Sequence, residues 1–116
     1  MRTSDGERWT FPSGAAALDE ALHQVAAREA AEKAGVIGVV AEKPLAVYCH
    51  GRRGDDLATA FLLAVQSAAP YGGSGRNPAW FDLPTARQRL ADGRDPEQAR
   101  EMAHVLQLAE RELQEG

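Results

Sequence analysis

The chain has 116 residues, enough for one domain with one hydrophobic core and too few for two ordinary domains, so we expect residues 1–116 to form a single domain. Hydrophobic residues make up 44% and charged residues 26% of the sequence, which is typical of a globular protein and excludes a disordered or fibrous one. The formal net charge of −4 gives no general attraction to long nucleic acids or to anionic membranes. A polyanionic ligand would therefore be bound through local cations or a bound metal.

Cysteine content and hydropathy bear on the cellular compartment. Cys49 is the only cysteine, so no intramolecular disulfide can form, which favours a reducing environment. No apolar run approaches the roughly 20 residues that a membrane-spanning helix needs, and the first residues lack the apolar core of a signal peptide. We therefore expect a cytoplasmic protein with no membrane partner.

The first third of the chain predicts a strand, a turn and a helix. Residues 7–11 alternate polar and aromatic side chains and stop at a Pro-Ser-Gly turn, which predicts a short strand. Residues 18–33 are strong helix formers without proline, with Leu22 and Val25 at helical spacing. Gly35 follows as a helix cap. We expect one helix over residues 18–33.

The middle of the chain is rich in residues that favour β-structure. Residues 36–40 and 44–50 predict two strands, and residues 51–56 predict a turn. Residues 59–66 form a continuous apolar run, which predicts a buried central strand, with a helix over residues 57–67 as the alternative. Residues 68–78 are rich in glycine and serine and predict a surface loop.

Two helices are expected at the end of the chain. Asp82 precedes Leu-Pro and predicts the cap of a short helix that runs through Leu90 and stops at Asp-Gly. Asp95 repeats this start signal for a longer helix. Its apolar stripe predicts core packing and consists of Met102, Val105, Leu106, Ala109 and Leu113.

The segment from Gly14 to Val36 has an unusual residue spacing. It resembles the Nudix box, G-x5-E-x7-R-E-U-x-E-E-x-G-U, in which U is an apolar aliphatic residue. Lys33 stands where this pattern has its last glutamate. The spacing is otherwise unbroken, and the matching positions are Gly14, Glu20, Arg28, Glu29, Ala30, Glu32, Gly35 and Val36.

The resemblance to the Nudix family extends to the end of the chain. Residues 80–113 are similar to the tail of Nudix members near the diphosphoinositol-polyphosphate and diadenosine-polyphosphate hydrolases. The resemblance implies an α/β fold, an α/β/α sandwich around a mixed sheet. Family members usually have one or two strands before the strand that enters the box, so this chain looks N-terminally short. Two explanations are open: a homodimer covers the open sheet edge, or these residues are a fragment of a chain that begins upstream.

The resemblance also implies a chemistry, the hydrolysis of a nucleoside diphosphate-linked or related pyrophosphate compound. Such a reaction needs divalent cations that neutralise phosphate charge and lower the pKa of the attacking water. Mg²⁺ or Mn²⁺ would be held by Glu29 and Glu32, which share a face of an α-helix. The residue-12–14 turn would add backbone oxygens. Arg28 and Glu20 would orient the loop and the helix, and all four box residues are catalytic candidates.

Lys33 leaves three outcomes open. The ammonium turns away and the two glutamates hold one ion, or it replaces a second cation and binds substrate phosphate, or catalysis is lost. In the third case the domain binds a nucleotide-like ligand or a protein partner. The simplest alternative is a solvated helix face, whose residues only form pairs along the helix: Arg28, Glu29, Glu32 and Lys33.

Several residues outside the box are weaker candidates. Arg52 and Arg53 would bind substrate phosphate or lie in a basic surface turn. Cys49 and His50 point to opposite faces of a strand, so no catalytic pair is expected. The aromatic pair at residues 80–81 would stack on a base or anchor the next helix. A further metal ligand is sought among Asp55, Asp56 and Asp82, while His23 and His104 receive no role.

Overall fold

The computed structural model describes residues 1–3, 6–16, 19–50, 56–68 and 78–115. These residues form a mixed helix-and-strand structure, which confirms the expected class at this coarse level. The helix α1 continues directly into a π-helical turn, called the π-turn below. In chain order the elements are α1 (Leu22–Glu29), the π-turn (Ala30–Ala34), β1 (Val36–Val40), β2 (Ala46–His50), β3 (Asp56–Ala60), β4 (Leu63–Ala68), α2 (Leu83–Ala91) and α3 (Pro96–Glu115).

The four strands pair in two separate antiparallel sheets. β2 and β3 pair from Ala46 opposite Ala60 to His50 opposite Asp56. β4 returns to pair with β1, and the register shifts between Ile37 and Gly38. Within the described ranges no strands pair in parallel, so the arrangement differs from the single mixed sheet that we expected.

The predicted strand over residues 59–66 is wrong, because the apolar run divides between two strands. β3 ends at Ala60 and β4 begins at Leu63, so each half pairs with a different partner. The segment that connects β1 and β2 forms hydrogen bonds at this break. The amide of Ala41 donates to the carbonyl of Leu62 at 2.9 Å, and the amide of Leu45 donates to the carbonyl of Ala60 at 2.8 Å. β4 is also mostly exposed rather than buried.

The predicted strand over residues 7–11 is reduced to one β-bridge between Trp9 and Arg2. The amide of Thr10 donates to the carbonyl of Met1 at 2.7 Å, which folds the N-terminal segment back on itself. Trp9 then packs edge-to-face on Phe81, with ring centroids 5.1 Å apart. This contact places Phe81 as an anchor before α2, one of the two roles considered for it.

The two C-terminal helices begin as the sequence predicts, and the apolar stripe of α3 packs in the core except at its end. Asp82 caps α2 by accepting from the amide of Thr85 at 2.9 Å, and Asp95 accepts from the amide of Gln98 at 2.8 Å near the start of α3. In the apolar stripe of α3 Met102 is only 2% exposed, whereas Leu113 is exposed. The core cluster joins α2, α3 and β2 and contains Tyr48, Leu90, Met102 and Val105, with Phe11, Leu45, Ala46, Ala58, Ala60 and Leu106 packed against it.

A cavity of about 1230 Å³ lies between α1, the strands and α3. Most of its lining is apolar, and the segment before α1 forms one wall. The strands also carry exposed apolar side chains, including Ile37, Val39, Val47 and Leu57. Such faces suit a subunit interface, and the homodimer stays a prediction. No helix in the described ranges is long and apolar enough to cross a membrane.

Candidate functional site

The helix that carries the box changes its geometry at Glu29. Residues 22–29 are α-helical, and the next five form the π-turn, which ends where the amide of Gly35 donates to the carbonyls of Ala30 and Ala31. Gly35 has φ 69°, so the predicted cap is confirmed. The predicted helix over residues 18–33 begins later than expected and includes this π segment. Single π-turns within helices occur frequently at functional sites.

Glu29 is buried beside the loop that precedes α1. The residue is 8% exposed, and a methyl group at Gly14 would overlap the Glu29 carboxylate. The two box positions, fifteen residues apart in the chain, are therefore in direct contact. Glu29 Oε1 lies 3.4 Å from Arg28 Nη2. Glu29 Oε2 is buried and accepts no hydrogen bond from the residues that the structure describes.

Lys33 points into this loop and not away from it. Its Nζ lies 3.2 Å from Glu29 Oε2 and donates a hydrogen bond to the carbonyl oxygen of Ser13 at 2.7 Å. The contact with Glu29 is an ion pair without hydrogen-bond geometry, which is why Oε2 remains without a hydrogen bond. The positive charge of Lys33 thus lies between a buried carboxylate and a backbone oxygen.

Glu32 does not join this cluster. Its side chain is exposed, whereas Glu29 on the preceding turn is buried. A π-turn takes more residues per turn than an α-helix, so position 33 lies nearly above position 29 and position 32 is turned aside. The expectation that residues 29, 32 and 33 share one face assumed α-helical spacing, and Glu32 as a metal ligand stays a prediction. In the described part of the chain, no three His, Cys, Asp or Glu side chains are grouped for a metal ion.

Arg28 links the two carboxylates that flank it. Its guanidinium donates to Glu20 through Nη1 and to Glu29 through Nη2. The hydrogen bond to Glu20, followed by the charges of both carboxylates, raises the pKa of Arg28 above its ordinary value. Glu20 belongs to the segment before α1, so the contact ties that segment to the helix. The orienting role that the resemblance implies for Arg28 and Glu20 stays a prediction.

The cluster has the features of a site for one cation. A buried carboxylate oxygen lacks a hydrogen bond, a backbone carbonyl lies beside it, and the Lys33 ammonium stands in for the positive charge. Mg²⁺ is commonly held by only one or two carboxylates, together with waters and substrate phosphates. Glu29 and the Ser13 carbonyl therefore fit one divalent ion if the Lys33 side chain turns elsewhere.

No family model, curated protein or solved structure matches this chain. The box resemblance thus rests on the residues themselves and on the contacts that they form.

The other phosphate and metal candidates fall partly outside and partly inside the described residues. Arg52, Arg53 and Asp55 lie outside the described residues. Asp56 is exposed at the start of β3. Asp82 is engaged as the cap of α2, and the hydrogen bonds from Thr85 lower the pKa of its carboxyl.

Cys49 shows no sign of an activated thiol. Its amide donates to Glu101 Oε2 at 3.0 Å. Partial burial, and then the Glu101 carboxylate, raise the pKa of the Cys49 thiol, which disfavours the reactive thiolate. The expectation that Cys49 and His50 form no catalytic pair stays a prediction.

Among the described residues, Trp80 is an exposed aromatic side chain at the cavity. It is 70% exposed, and it lines the same cavity as Ser13, Gly14 and Lys33. The sequence alone could not distinguish the role of Trp80 from that of Phe81. Which of two adjacent aromatic side chains packs against the protein depends on the path of the backbone, and the sequence does not show that path. The structure separates them, since Phe81 packs on Trp9.

Proposed function

We propose that this chain is a Nudix-like, divalent-metal-dependent hydrolase of a small molecule that contains a diphosphate linkage. The observation that carries the proposal is the buried Glu29 carboxylate, which lies against the loop that contains Gly14. The ammonium nitrogen of Lys33 lies 3.2 Å from Glu29 Oε2. In this proposal the two antiparallel sheets and the helices are parts of a Nudix-type sandwich in a cytoplasmic protein.

When Mg²⁺ or Mn²⁺ is bound, it neutralises phosphate charge and lowers the pKa of the attacking water. Glu29 and the carbonyl of Ser13 would hold the ion, with the exposed Glu32 the nearest further carboxylate in the chain. Arg28 donates one hydrogen bond to Glu29 and another to Glu20, and this pair of bonds keeps Glu29 oriented. Lys33 has a long flexible side chain that can redirect its ammonium to a substrate phosphate.

The cavity gives room for the rest of the substrate. Its volume of about 1230 Å³ exceeds the roughly 300–1,000 Å³ typical of small-molecule sites. Ser13, Gly14 and Lys33 line it, so a diphosphate at the cluster would extend into the cavity. The exposed indole of Trp80 offers a surface on which a nucleoside base can stack. These features favour a nucleotide-like substrate.

The second candidate is a Nudix-fold module that binds a nucleotide-like ligand or a protein partner without cleaving it. Two observations favour it. Lys33 is already paired with Glu29, and Glu32 is exposed instead of facing Glu29. Both features weaken a metal site of the usual composition, because an ammonium repels a divalent ion and the number of carboxylates is reduced.

The two candidates are separated by a hydrolysis screen with and without Mg²⁺ and Mn²⁺. The panel contains nucleoside triphosphates, ADP-ribose, dinucleoside polyphosphates and inositol pyrophosphates, and released phosphate and nucleoside monophosphate are measured. A hydrolase converts at least one compound only when metal is present. If Lys33→Glu creates metal-dependent turnover that the parent chain lacks, the binding module is the correct assignment.

Gly14→Ala tests the contact between the loop and Glu29. The added methyl group would overlap the Glu29 carboxylate, so the flexible end of that side chain must move. Misplacing a metal-binding group by about 1 Å can reduce turnover roughly a hundred-fold. We expect such a loss in the hydrolysis assay, with only a small change in Tm.

The matched control for Gly14→Ala is Ala41→Ser, which also adds one heavy atom but lies in the connection between β1 and β2, outside the cavity lining. Ala41 is exposed, so full activity is expected from this variant. Unchanged activity in Gly14→Ala would show that the loop does not position Glu29.

A further inference from the structure

The Lys33 ammonium occupies the point at which the site offers ligands to a cation. It lies 3.2 Å from Glu29 Oε2 and 2.7 Å from the carbonyl oxygen of Ser13. Both groups are oxygen donors of the type that Mg²⁺ and Mn²⁺ prefer. Glu29 and Lys33 are four residues apart where α1 continues into the π-turn, so their side chains lie on the same side of the helix.

Because Glu29 is buried, its carboxylate needs the positive charge of Lys33 in the ligand-free protein. The side chain of Glu29 is 10% exposed, and a carboxylate at such a site is costly unless a positive charge compensates it. Arg28 supplies part of that compensation, but its guanidinium lies 3.4 Å from Oε1 and also bonds to Glu20. Lys33 is the cation that faces Oε2.

We propose that Lys33 is an internal cation that holds the metal position while no metal is bound, so that Lys33 and a divalent ion compete for Glu29. This inference rests on the proposed metal site. Metal enters only when the ammonium leaves Glu29 and Ser13, because the two positive charges repel each other at this separation. The side chain of Lys33 is 28% exposed and can swing toward solvent or toward a phosphate. Metal therefore binds better together with a diphosphate, which accepts the displaced ammonium.

The test measures Mn²⁺ binding directly, by the electron paramagnetic resonance signal of free Mn²⁺ during titration of the whole chain. Lys33→Met removes the competing charge and is expected to bind Mn²⁺ at least about tenfold more tightly than the parent. Glu29→Gln is expected to lose this binding. Lys43→Met is the matched control, since Lys43 is the only other lysine and is exposed, and its affinity should equal that of the parent.

Thermal unfolding supplies a second readout. With a chelator present, Lys33→Met should have a lower Tm than the parent, because Glu29 loses its partner. Added Mn²⁺ should restore that Tm and raise the parent's Tm much less. Lys33→Gln guards against misfolding, because its amide can still donate to the carbonyl of Ser13 while carrying no charge. It should also bind Mn²⁺ more tightly than the parent.

Equal Mn²⁺ affinity in the parent, Lys33→Met and Lys33→Gln would overturn the inference, as would binding that persists in Glu29→Gln. Absence of Mn²⁺ binding in every variant would overturn it too. Its failure is distinguishable from failure of the proposed function. Tighter Mn²⁺ binding by Lys33→Met with no hydrolysis of any diphosphate supports the competition and removes the hydrolase. Metal-dependent hydrolysis with unaltered Mn²⁺ affinity in Lys33→Met leaves the hydrolase and removes the competition.

Discussion

Glu29→Gln is expected to lower metal-dependent diphosphate hydrolysis by roughly a thousand-fold, the equivalent of about 4 kcal/mol of transition-state stabilisation. Glu29 is the only buried carboxylate among the described residues, and its oxygens face the Arg28 and Lys33 cations. The amide removes the negative charge that attracts a divalent ion but keeps the shape of the side chain. The measurement is the initial rate at saturating Mn²⁺ with the best substrate from the screen.

Two further Glu→Gln substitutions are the comparisons against which the loss of activity in Glu29→Gln is interpreted. Glu42→Gln changes an exposed carboxylate in the connection between β1 and β2 and should keep full activity. Glu32→Gln should lose activity by a smaller factor than Glu29→Gln, because Glu32 is exposed and contributes only if it moves toward the ion. A Glu29→Gln protein that folds and retains the parent's rate would show that this carboxylate does not hold the metal.

The elements that the sequence predicted correctly carry their signals locally. Asp82 and Asp95 accept hydrogen bonds from amides three residues later, and Gly35 adopts the left-handed conformation that ends a helix. Such caps depend on residues within one turn. The break at residues 61–62 has no local signal, because both residues are as apolar as their neighbours. It is set by strand pairing with distant segments, which hydrophobic periodicity does not report.

The sequence pattern singled out some of the residues that meet in the structure, but not the geometry in which they meet. The box spacing singled out Gly14, Arg28 and Glu29, and the structure brings these residues together. Two features escaped the pattern. The helix ends in a π-turn in which Lys33 contacts Glu29 while Glu32 is exposed, and sequence spacing alone does not show this. The direction of the Lys33 side chain depends on a contact with Ser13, twenty residues away in the chain, and sequence spacing therefore left several outcomes open.

Gly38→Ala is expected to destabilise the fold by about 3 kcal/mol, near the upper end of what overpacking usually costs. Gly38 lies at the register shift between β1 and β4, and an added Cβ would overlap the carbonyl group of Ala64 and the backbone of Val65. These are backbone atoms, so the strands must separate to make room. Gly38 does not have a positive φ, and the cost is therefore steric.

The measurement for Gly38→Ala is thermal unfolding, in which a loss of this size corresponds to a Tm decrease of about 10 °C or more. Val39→Ala is the matched control on the same strand. The side chain of Val39 is 60% exposed, so its truncation should cost less than about 1 kcal/mol. Equal Tm decreases for the two variants would contradict the close approach of β1 and β4. A large decrease for Gly38→Ala alone would show that the pairing of β1 with β4 stabilises the strand that follows the π-turn. The same pairing would then stabilise the end of the helix that carries Glu29 and Lys33.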